Sequence, residues 1–158
     1  MGLLQSIRIL GLKSILSSAL TLEEEIYNLY SSLKAELAGI EIPQSLVRIL
    51  DEELGHQSLI RDMINNRISG QELDQIIGGK DLHIHDPQAI QALPAEEYVS
   101  IRRRLENILK KEREIYTLFS GLHRKSKIPF ARRAFGFLKE QERTHLQVLE
   151  RLLGLPES

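Results

Sequence analysis

Two copies of the motif Glu-x-x-His, each with another glutamate thirty residues upstream, constrain the fold of this chain more than any other feature. Glu53 and His56 follow Glu23, and the same pattern recurs when 89 is added to each residue number. The duplicated set of four carboxylates and two imidazoles consists of Glu23, Glu53, His56, Glu112, Glu142 and His145. These residue types, placed on four helices of one bundle, are the ligand set of a dinuclear metal site.

Apolar residues recur at steps of three and four, which indicates helices, and alternating strand patterns are nearly absent. The first long helix is predicted from about Leu12 to Leu37. Its buried stripe is predicted to contain Ile15, Ala19, Leu22, Ile26, Leu29, Leu33 and Leu37. A break from Gly39 to Pro43 precedes the second helix, which is predicted to end at about Asn66.

The middle of the chain is predicted to be a connection, with a short helix from about Gln71 to Ile77. Pro94 suits the first turn of the third long helix, and Pro129 marks the turn into the fourth. Gly154 and Pro156 are predicted to end that last helix.

The two halves also match outside the candidate ligands, since residues 25–33 (EIYNLYSSL) resemble residues 114–122 (EIYTLFSGL) at the same shift of 89. We therefore expect a duplicated helical hairpin over residues 12–66 and 95–154, with residues 67–94 as the crossover between them. The short turns make each hairpin antiparallel, and the longer middle segment can cross the bundle. The predicted fold is an all-α, antiparallel four-helix bundle with one long crossover, a single domain over residues 1–158.

The candidate ligands fall on the apolar stripes, where an ionised carboxylate is costly unless it is paired or binds a metal. Residues three apart on a helix share a face, so Glu53 with His56 can hold one ion, as can their duplicates. Glu23 and Glu112 are expected as terminal ligands, and Glu53 and Glu142 could bridge two ions. The alternatives are a decayed duplicate or polar core residues. Iron, manganese and zinc all accept carboxylate and imidazole ligands.

The pattern resembles the ferritin-like di-iron carboxylate proteins, and most closely their rubrerythrin-type branch, over about residues 12–152. Residues 22–30 (LEEEIYNLY) resemble that family's first helix, with an aromatic residue seven positions after the ligand glutamate. Phe119 holds the matching place after Glu112. The resemblance implies two iron ions as cofactors, dioxygen or hydrogen peroxide as the oxidant, and an external electron donor. The six residues of the duplicated set carry over as the metal ligands.

Two departures from that family pattern stand out. These 158 residues contain no cysteine and so no cysteine-ligated rubredoxin domain to deliver electrons. Ile115 stands where the family has a further glutamate, three residues after the third-helix ligand, that is used in peroxide chemistry. Both departures favour a general di-iron oxidoreductase over a dedicated peroxidase.

Composition excludes several other functions. Without cysteine there is no disulfide, thiolate catalysis, iron–sulfur cluster or thiolate zinc site. A formal net charge of −1 provides no global field for nucleic acid or an anionic membrane, so neither partner is expected. Charged residues interrupt or closely follow the fairly apolar segment from Leu3 to Leu22, so we interpret it as a helix of a cytoplasmic protein and not a signal sequence. We further expect a homodimer.

Other candidate residues have weaker patterns. His83, His85 and Asp86 could form a second metal site, but an ordinary polar loop is the favoured interpretation because no further ligand accompanies them at a suitable spacing. His123 is interpreted as a polar residue at the end of the bundle. The basic groups Arg102 to Arg104 and Arg132 to Arg133 are interpreted as solvated faces or salt-bridge partners. Tyr27, Tyr30 and Tyr116 are either hydrogen-bond donors near the ligands or plain core aromatics.

The leading functional hypothesis is a di-iron oxidoreductase of the ferroxidase or peroxidase type. Hydroxylation of an organic substrate is a second enzymatic possibility. The non-enzymatic alternative is a helical bundle that binds metal structurally or presents a surface to partners. Storage of iron in a large shell is a further possibility, although nothing in the sequence indicates a fifth bundle helix.

Overall fold

The computed structural model describes residues 3–37, 44–79 and 99–156, with only the backbone described for residues 3–10. All regular structure in these ranges is helical. The helices are α1 (Leu3–Glu36), α2 (Gln44–Ile64), α3 (Gly70–Gly78), α4 (Val99–Lys125) and α5 (Pro129–Leu152). The four long helices form the bundle that the periodicity predicts, and α3 is the short helix expected in the middle segment.

Cross-helix contacts fix the directions of the four long helices. Arg61 of α2 contacts Glu24 near the middle of α1, whereas Leu46 at the start of α2 lies with Leu37 beside the end of α1, so the pair is antiparallel. Arg104 of α4 contacts Glu36 at the end of α1 at 2.6 Å, which makes α1 and α4 antiparallel as well. Since α2 and α4 both run opposite to α1, they are parallel to each other. The end of α2 and the start of α4 therefore lie at opposite ends of the bundle, as the predicted crossover requires.

The helices pack in a ring, with α1 against α2 and α4, and α5 against α4 and α2. Helix α3 packs on α5, where its Leu73 is fully buried and Arg133 donates a hydrogen bond to Asp74 at 2.6 Å. This contact confirms a salt-bridge role for one arginine of the 132–133 pair.

The buried stripe of α1 differs from the predicted one at its edge. Ile15 is 39% exposed, whereas Leu16 is 2% exposed and lies in the core. Leu22 and Leu29 are only partly buried. The core positions repeat every 3.5 residues on average, the spacing of nearly parallel or antiparallel helices, and are Leu16, Ala19, Glu23, Ile26, Tyr30, Leu33 and Leu37. The true stripe is thus rotated toward Glu23 and Tyr30, which occupy two of its central positions.

Two helix ends have the hydrogen bonds of a Schellman motif. Asn66 has a φ of 53°, and Arg67 N–H donates to the Asp62 carbonyl at 2.9 Å. At the end of α5, Gly154 has a φ of 68° and Leu155 N–H donates to the Glu150 carbonyl at 2.8 Å. The predicted ends of the second and fourth long helices are confirmed by this geometry.

Of two predicted helix starts, one lies earlier in the structure than predicted and the other lies outside the described residues. Helix α1 begins at Leu3, earlier than the predicted Leu12, since no proline or glycine-rich turn interrupts the segment between them. Pro94, expected in the first turn of the third long helix, lies outside the described residues. Among the described helices, none is both long enough and apolar enough to span a bilayer.

Candidate metal centre

The structure brings all six residues of the duplicated set together in the middle of the bundle. Helix α1 contributes Glu23, and α4 contributes Glu112. Helices α2 and α5 each contribute a Glu and a His one turn apart, namely Glu53 with His56 and Glu142 with His145. All six side chains are at most 1% exposed. They occupy stripe positions that apolar residues hold elsewhere in each helix, so the packing that forms the core also concentrates these polar groups.

The two halves of the cluster have closely similar distances. His56 Nδ1 lies 2.8 Å from Glu142 Oε1, and its counterpart His145 Nδ1 lies 2.9 Å from Glu53 Oε1. The distances from the same nitrogens to Glu23 Oε1 and Glu112 Oε1 are 3.4 Å and 3.5 Å. The imidazole rings are stacked with centroids 5.5 Å apart. The sequence duplication is therefore reproduced as a local two-fold arrangement.

Most donor atoms of the cluster are buried without a hydrogen-bond partner in the described part of the chain. They include both carboxylate oxygens of Glu23, Glu53 and Glu142, and Nδ1 of each histidine. The Nδ1 atoms are close to carboxylate oxygens, but the directions do not suit hydrogen bonds. Buried polar atoms are normally hydrogen-bonded, so such a concentration of convergent lone pairs fits a bound cation.

The donor atoms form two groups, each with its atoms within 4.8 Å of one another. One group comprises Glu23, Glu53, His56 and Glu142, and the other comprises Glu53, Glu112, Glu142 and His145. Glu53 and Glu142 belong to both groups, whereas Glu23 and Glu112 each belong to one. Three carboxylates and one imidazole in each group suit a divalent transition metal, so these residues fit a pair of ions.

The electrostatics of the metal-free cluster also favour cations. Burial raises the pKa of Glu53 and Glu142 well above the usual carboxyl range, and repulsion from Glu23 and Glu112 raises it further. Burial raises the pKa of Glu112 too, but the contacts with His145, Glu142 and Tyr30 together outweigh burial and leave it at about 2. Two divalent ions would neutralise the remaining negative charge, so that ionised carboxylates would be favoured in the buried cluster.

The pKa values of the two imidazoles are raised because the surrounding carboxylates favour the protonated ring. Burial lowers the pKa of His145, but the charge of Glu112 and the close approach of Glu112, Glu142 and Glu52 together raise it well above its ordinary value. Burial lowers the pKa of His56 in the same way, and Glu23 is the main carboxylate that raises it. Without metal, the surroundings of the cluster therefore favour protonation of both rings and of Glu53 and Glu142.

Tyr30 is the tyrosine that contacts a candidate ligand. Its hydroxyl donates to Glu112 Oε1 at 2.7 Å, while Glu112 Oε2 has no hydrogen-bond partner in the described residues. Burial raises the pKa of Tyr30 well above 10.0, and the charge of Glu112 raises it further. Tyr30 thus stays a phenol donor at neutral pH. Tyr27 and Tyr116 are only partly buried.

Two functional candidates were not predicted from the sequence, namely Glu52 and Gln141. Glu52 Oε2 lies 2.8 Å from His145 Nε2, and Gln141 Oε1 contacts His56 Nε2. Each residue immediately precedes a ligand glutamate and reaches across the interface between α2 and α5. The signal that could have identified them is the duplication itself, because 52 plus 89 is 141 and both positions carry a hydrogen-bonding oxygen.

The acids next to Glu23 lie on the outside of α1, as the helical face predicts. Arg61 pairs with Glu24 at 2.9 Å, and Lys111 pairs with Glu25 at 3.2 Å, so each acid forms an exposed ion pair with a neighbouring helix. Ile115 is fully buried, one turn after Glu112. It adds an apolar wall where a further carboxylate would otherwise lie.

His123 lies at the end of the bundle, away from the cluster, and its Nδ1 is 2.9 Å from the Arg132 carbonyl, as expected for a polar residue there. In the basic group at 102–104, Arg102 donates to the Leu153 carbonyl and Arg104 pairs with Glu36. The proposed second site at His83, His85 and Asp86 lies outside the described residues and stays a prediction.

Comparison with known proteins agrees with this geometry. The family model described as rubrerythrin matches residues 14–153, which include all six residues of the cluster as well as Glu52 and Gln141. Searches of curated proteins and of solved structures gave no match.

Proposed function

This chain belongs to the rubrerythrin family, and from that membership and the buried cluster we propose that it is a di-iron oxidoreductase acting on dioxygen or hydrogen peroxide. The observation that carries the proposal is the pair of donor groups that share Glu53 and Glu142. In this assignment Glu53 and Glu142 would be shared by the two ions, Glu23 and Glu112 would each hold one ion, and His56 and His145 would each supply one nitrogen.

The reaction needs two electrons and two protons for each hydrogen peroxide reduced to two water molecules. When bound, a pair of ferrous ions supplies the two electrons, and the protein supplies geometry and charge. The electrons must be restored from outside these 158 residues, because they contain no cysteine-ligated centre. Oxidation of free Fe(II) by the same site would make the protein a ferroxidase.

The residues around the cluster control its environment. Tyr30 occupies one oxygen of Glu112 and holds a phenolic proton at the edge of the site. Ile26, Ile115 and Phe119 are fully buried close to the ligands along the stripes of α1 and α4, and they exclude bulk water. A small apolar pocket between α1 and α2 is lined by Tyr30, Leu33 and Leu50 among others, so Tyr30 contacts both this pocket and the cluster.

A direct test begins with the native metal content by elemental analysis, followed by anaerobic loading with two equivalents of Fe(II). Addition of hydrogen peroxide or air should produce ferric near-ultraviolet absorbance within a rapid-mixing experiment, together with loss of ferrous iron. Glu23→Gln should impair loading and oxidation, whereas Glu24→Gln on the exposed face of the same helix should not.

The results separate the competing functions. A protein that holds two ions but oxidises neither with peroxide nor with air would be a structural metal-binding bundle. If the protein holds no ion and its melting temperature is the same with and without chelator, the metal assignment is contradicted. The homodimer and the cytoplasmic location stay predictions, and light scattering after gel filtration tests the dimer against a large shell.

A further inference from the structure

Each histidine of the cluster has an outer partner, which accepts a hydrogen bond from its Nε2; these partners are Glu52 and Gln141. The two outer partners differ in charge, although the six inner residues of the cluster are of the same types in both halves. Position 52 carries a glutamate, and the duplicated position, 141, carries a glutamine. Both side chains are buried, at 6% and 2% exposure. The local two-fold arrangement is therefore broken at this pair.

Each outer partner holds its histidine in the same orientation. The Nε2–H of His145 donates to Glu52, and that of His56 donates to Gln141. With Nε2 engaged, Nδ1 of each ring is left facing the carboxylates of the inner cluster. A hydrogen bond of this kind fixes the ring and the tautomer that presents a lone pair to an ion.

The charge of Glu52 is held in place by a second contact. Arg48 Nε donates to Glu52 Oε1 at 2.8 Å, from one turn earlier on α2. Glu52 can therefore remain an anion while its other oxygen accepts from His145. Gln141 presents a neutral amide oxygen to His56, and its own Nε2 has no hydrogen-bond partner in the described residues. An anionic acceptor makes an imidazole a stronger donor to a metal than a neutral acceptor does.

A second difference between the halves acts in the opposite direction. Tyr30 donates to Glu112, in the same donor group as His145, whereas the duplicated position is Phe119. This hydrogen bond withdraws some electron density from Glu112. It comes from a neutral phenol, which adds no net charge, whereas Glu52 adds a full negative charge beside His145.

We propose that Glu52 is a positioning residue that makes the two ion positions unequal, so that the position at His145 and Glu112 fills before the position at His56 and Glu23. This proposal rests on the proposed function only in needing two bound ions. The carboxylate acts through His145 and does not itself touch an ion. Loss of such an outer partner typically lowers metal affinity by roughly 10–100-fold, which sets the expected separation of the two positions.

The test is an anaerobic titration of the metal-free protein with Co(II), followed by calorimetry and by visible absorbance. The natural chain should bind two ions in two steps that differ by roughly 10-fold or more in affinity. Glu112→Gln should remove the tighter step, and Glu23→Gln should remove the weaker one. Both measurements report binding and need no turnover.

The outer-partner variants then identify the cause. Glu52→Gln gives both halves the same amide and should weaken the first step until the two steps merge. Glu52→Gln with Gln141→Glu should restore two separate steps with their order exchanged, so that Glu23→Gln now removes the tighter one. Asp51→Asn removes a charge from the exposed neighbour of Glu52 and should leave the steps as they are. Tyr30→Phe removes the hydrogen bond that opposes the effect of Glu52 and should separate the two steps further.

Three results would overturn the proposal. They are equal affinities in the natural chain, equal weakening of both steps by Glu52→Gln, and merging of the steps by Tyr30→Phe. In each case two ions still bind, so the proposed function survives. Absence of any Co(II) or Fe(II) binding would overturn the proposed function and this proposal with it. Circular dichroism of each metal-free variant establishes that it is folded before titration.

Discussion

At the scale of single residues, the cluster depends on polar groups that replace apolar ones at stripe positions. Glu23 and Tyr30 are both core residues of α1, seven positions apart and on the same face. Tyr30 is positioned by its backbone to reach across to Glu112 on α4. The phenol therefore joins two helices and also satisfies one oxygen of a buried carboxylate.

Tyr30→Phe should destabilise the metal-free protein by about 1–3 kcal/mol, because a buried carboxylate oxygen loses its donor while the ring still fills the same space. Urea unfolding of the metal-free protein measures the change. Tyr27→Phe is the matched control, since Tyr27 is only partly buried on the same helix, and its effect should stay within about 0.5 kcal/mol. Equal losses for both variants would contradict a specific role for the contact with Glu112.

The sequence predicted the six candidate ligands because each is a charged or polar residue at a stripe position, repeated at one shift. It did not predict Glu52 and Gln141, because each lies one position away from the centre of its stripe. Whether such a residue points to solvent or across to a neighbouring helix depends on how closely α2 and α5 pack. Helical spacing alone does not contain that information.

At the scale of helices, sequence periodicity gave the existence and the ends of most elements but not the exact face of α1. Ile15 and Leu16 lie four and three positions before Ala19, and both steps are compatible with one helical face. The structure places Leu16 in the core and leaves Ile15 exposed, because the 3.5-residue repeat set by Glu23 and Tyr30 extends back to Leu16. Local patterns did suffice at helix ends such as Gly154, where a positive φ needs a residue with backbone freedom.

The contact between α4 and α5 leads to a second prediction. A Cβ added at Gly121 of α4 would meet no atom within 4 Å, so Gly121→Ala should stabilise the protein by about 0.5–1 kcal/mol through helix propensity. A Cβ added at Gly136 of α5 would lie 2.9 Å from His123 Cε1. Gly136→Ala must displace the ring that contacts the Arg132 carbonyl, so it should stabilise less than Gly121→Ala or destabilise.

Thermal melting of the two alanine variants beside the natural chain measures this difference. The double variant His123→Ala with Gly136→Ala is the control, since removal of the ring should restore the gain expected from helix propensity. A greater stabilisation by Gly136→Ala than by Gly121→Ala would show that the ring does not constrain the α4–α5 turn.

At the scale of the whole molecule, metal binding and stability are linked through the buried charges. Ligands that bind only the folded state add a stabilisation of about 2.7 kcal/mol at a free concentration near 100 times Kd. Chelation of the bound ions should therefore lower the melting temperature. A chelator and its already metal-saturated form, compared at equal concentration, separate ion removal from any direct effect of the chelator. Identical melting in both would contradict a native metal centre.

The pH dependence of stability should differ between the metal-free and the loaded protein. Burial and neighbouring glutamates raise the pKa of Glu53 and Glu142 above 4.5. The glutamates around His145 together overcome burial and raise the pKa of His145 above 6.5. The folded metal-free protein thus binds more protons than the unfolded chain at neutral pH. Its stability must fall as the pH rises. The stability that the raised pKa of His145 contributes is complete below pH 6.5, and it is lost as the pH rises through that raised pKa.

Ions replace these protons, so the loaded protein should bind metal more tightly as the pH rises and should release protons on loading. Urea unfolding from about pH 6 to about pH 8 should show a widening stability gap between loaded and metal-free protein. Calorimetric loading in two buffers of different ionisation enthalpy gives the number of protons released, which should rise in proportion to the ions bound. A gap that narrows with increasing pH, or loading without proton release, would mean that the carboxylates and imidazoles of this cluster are not protonated in the metal-free fold.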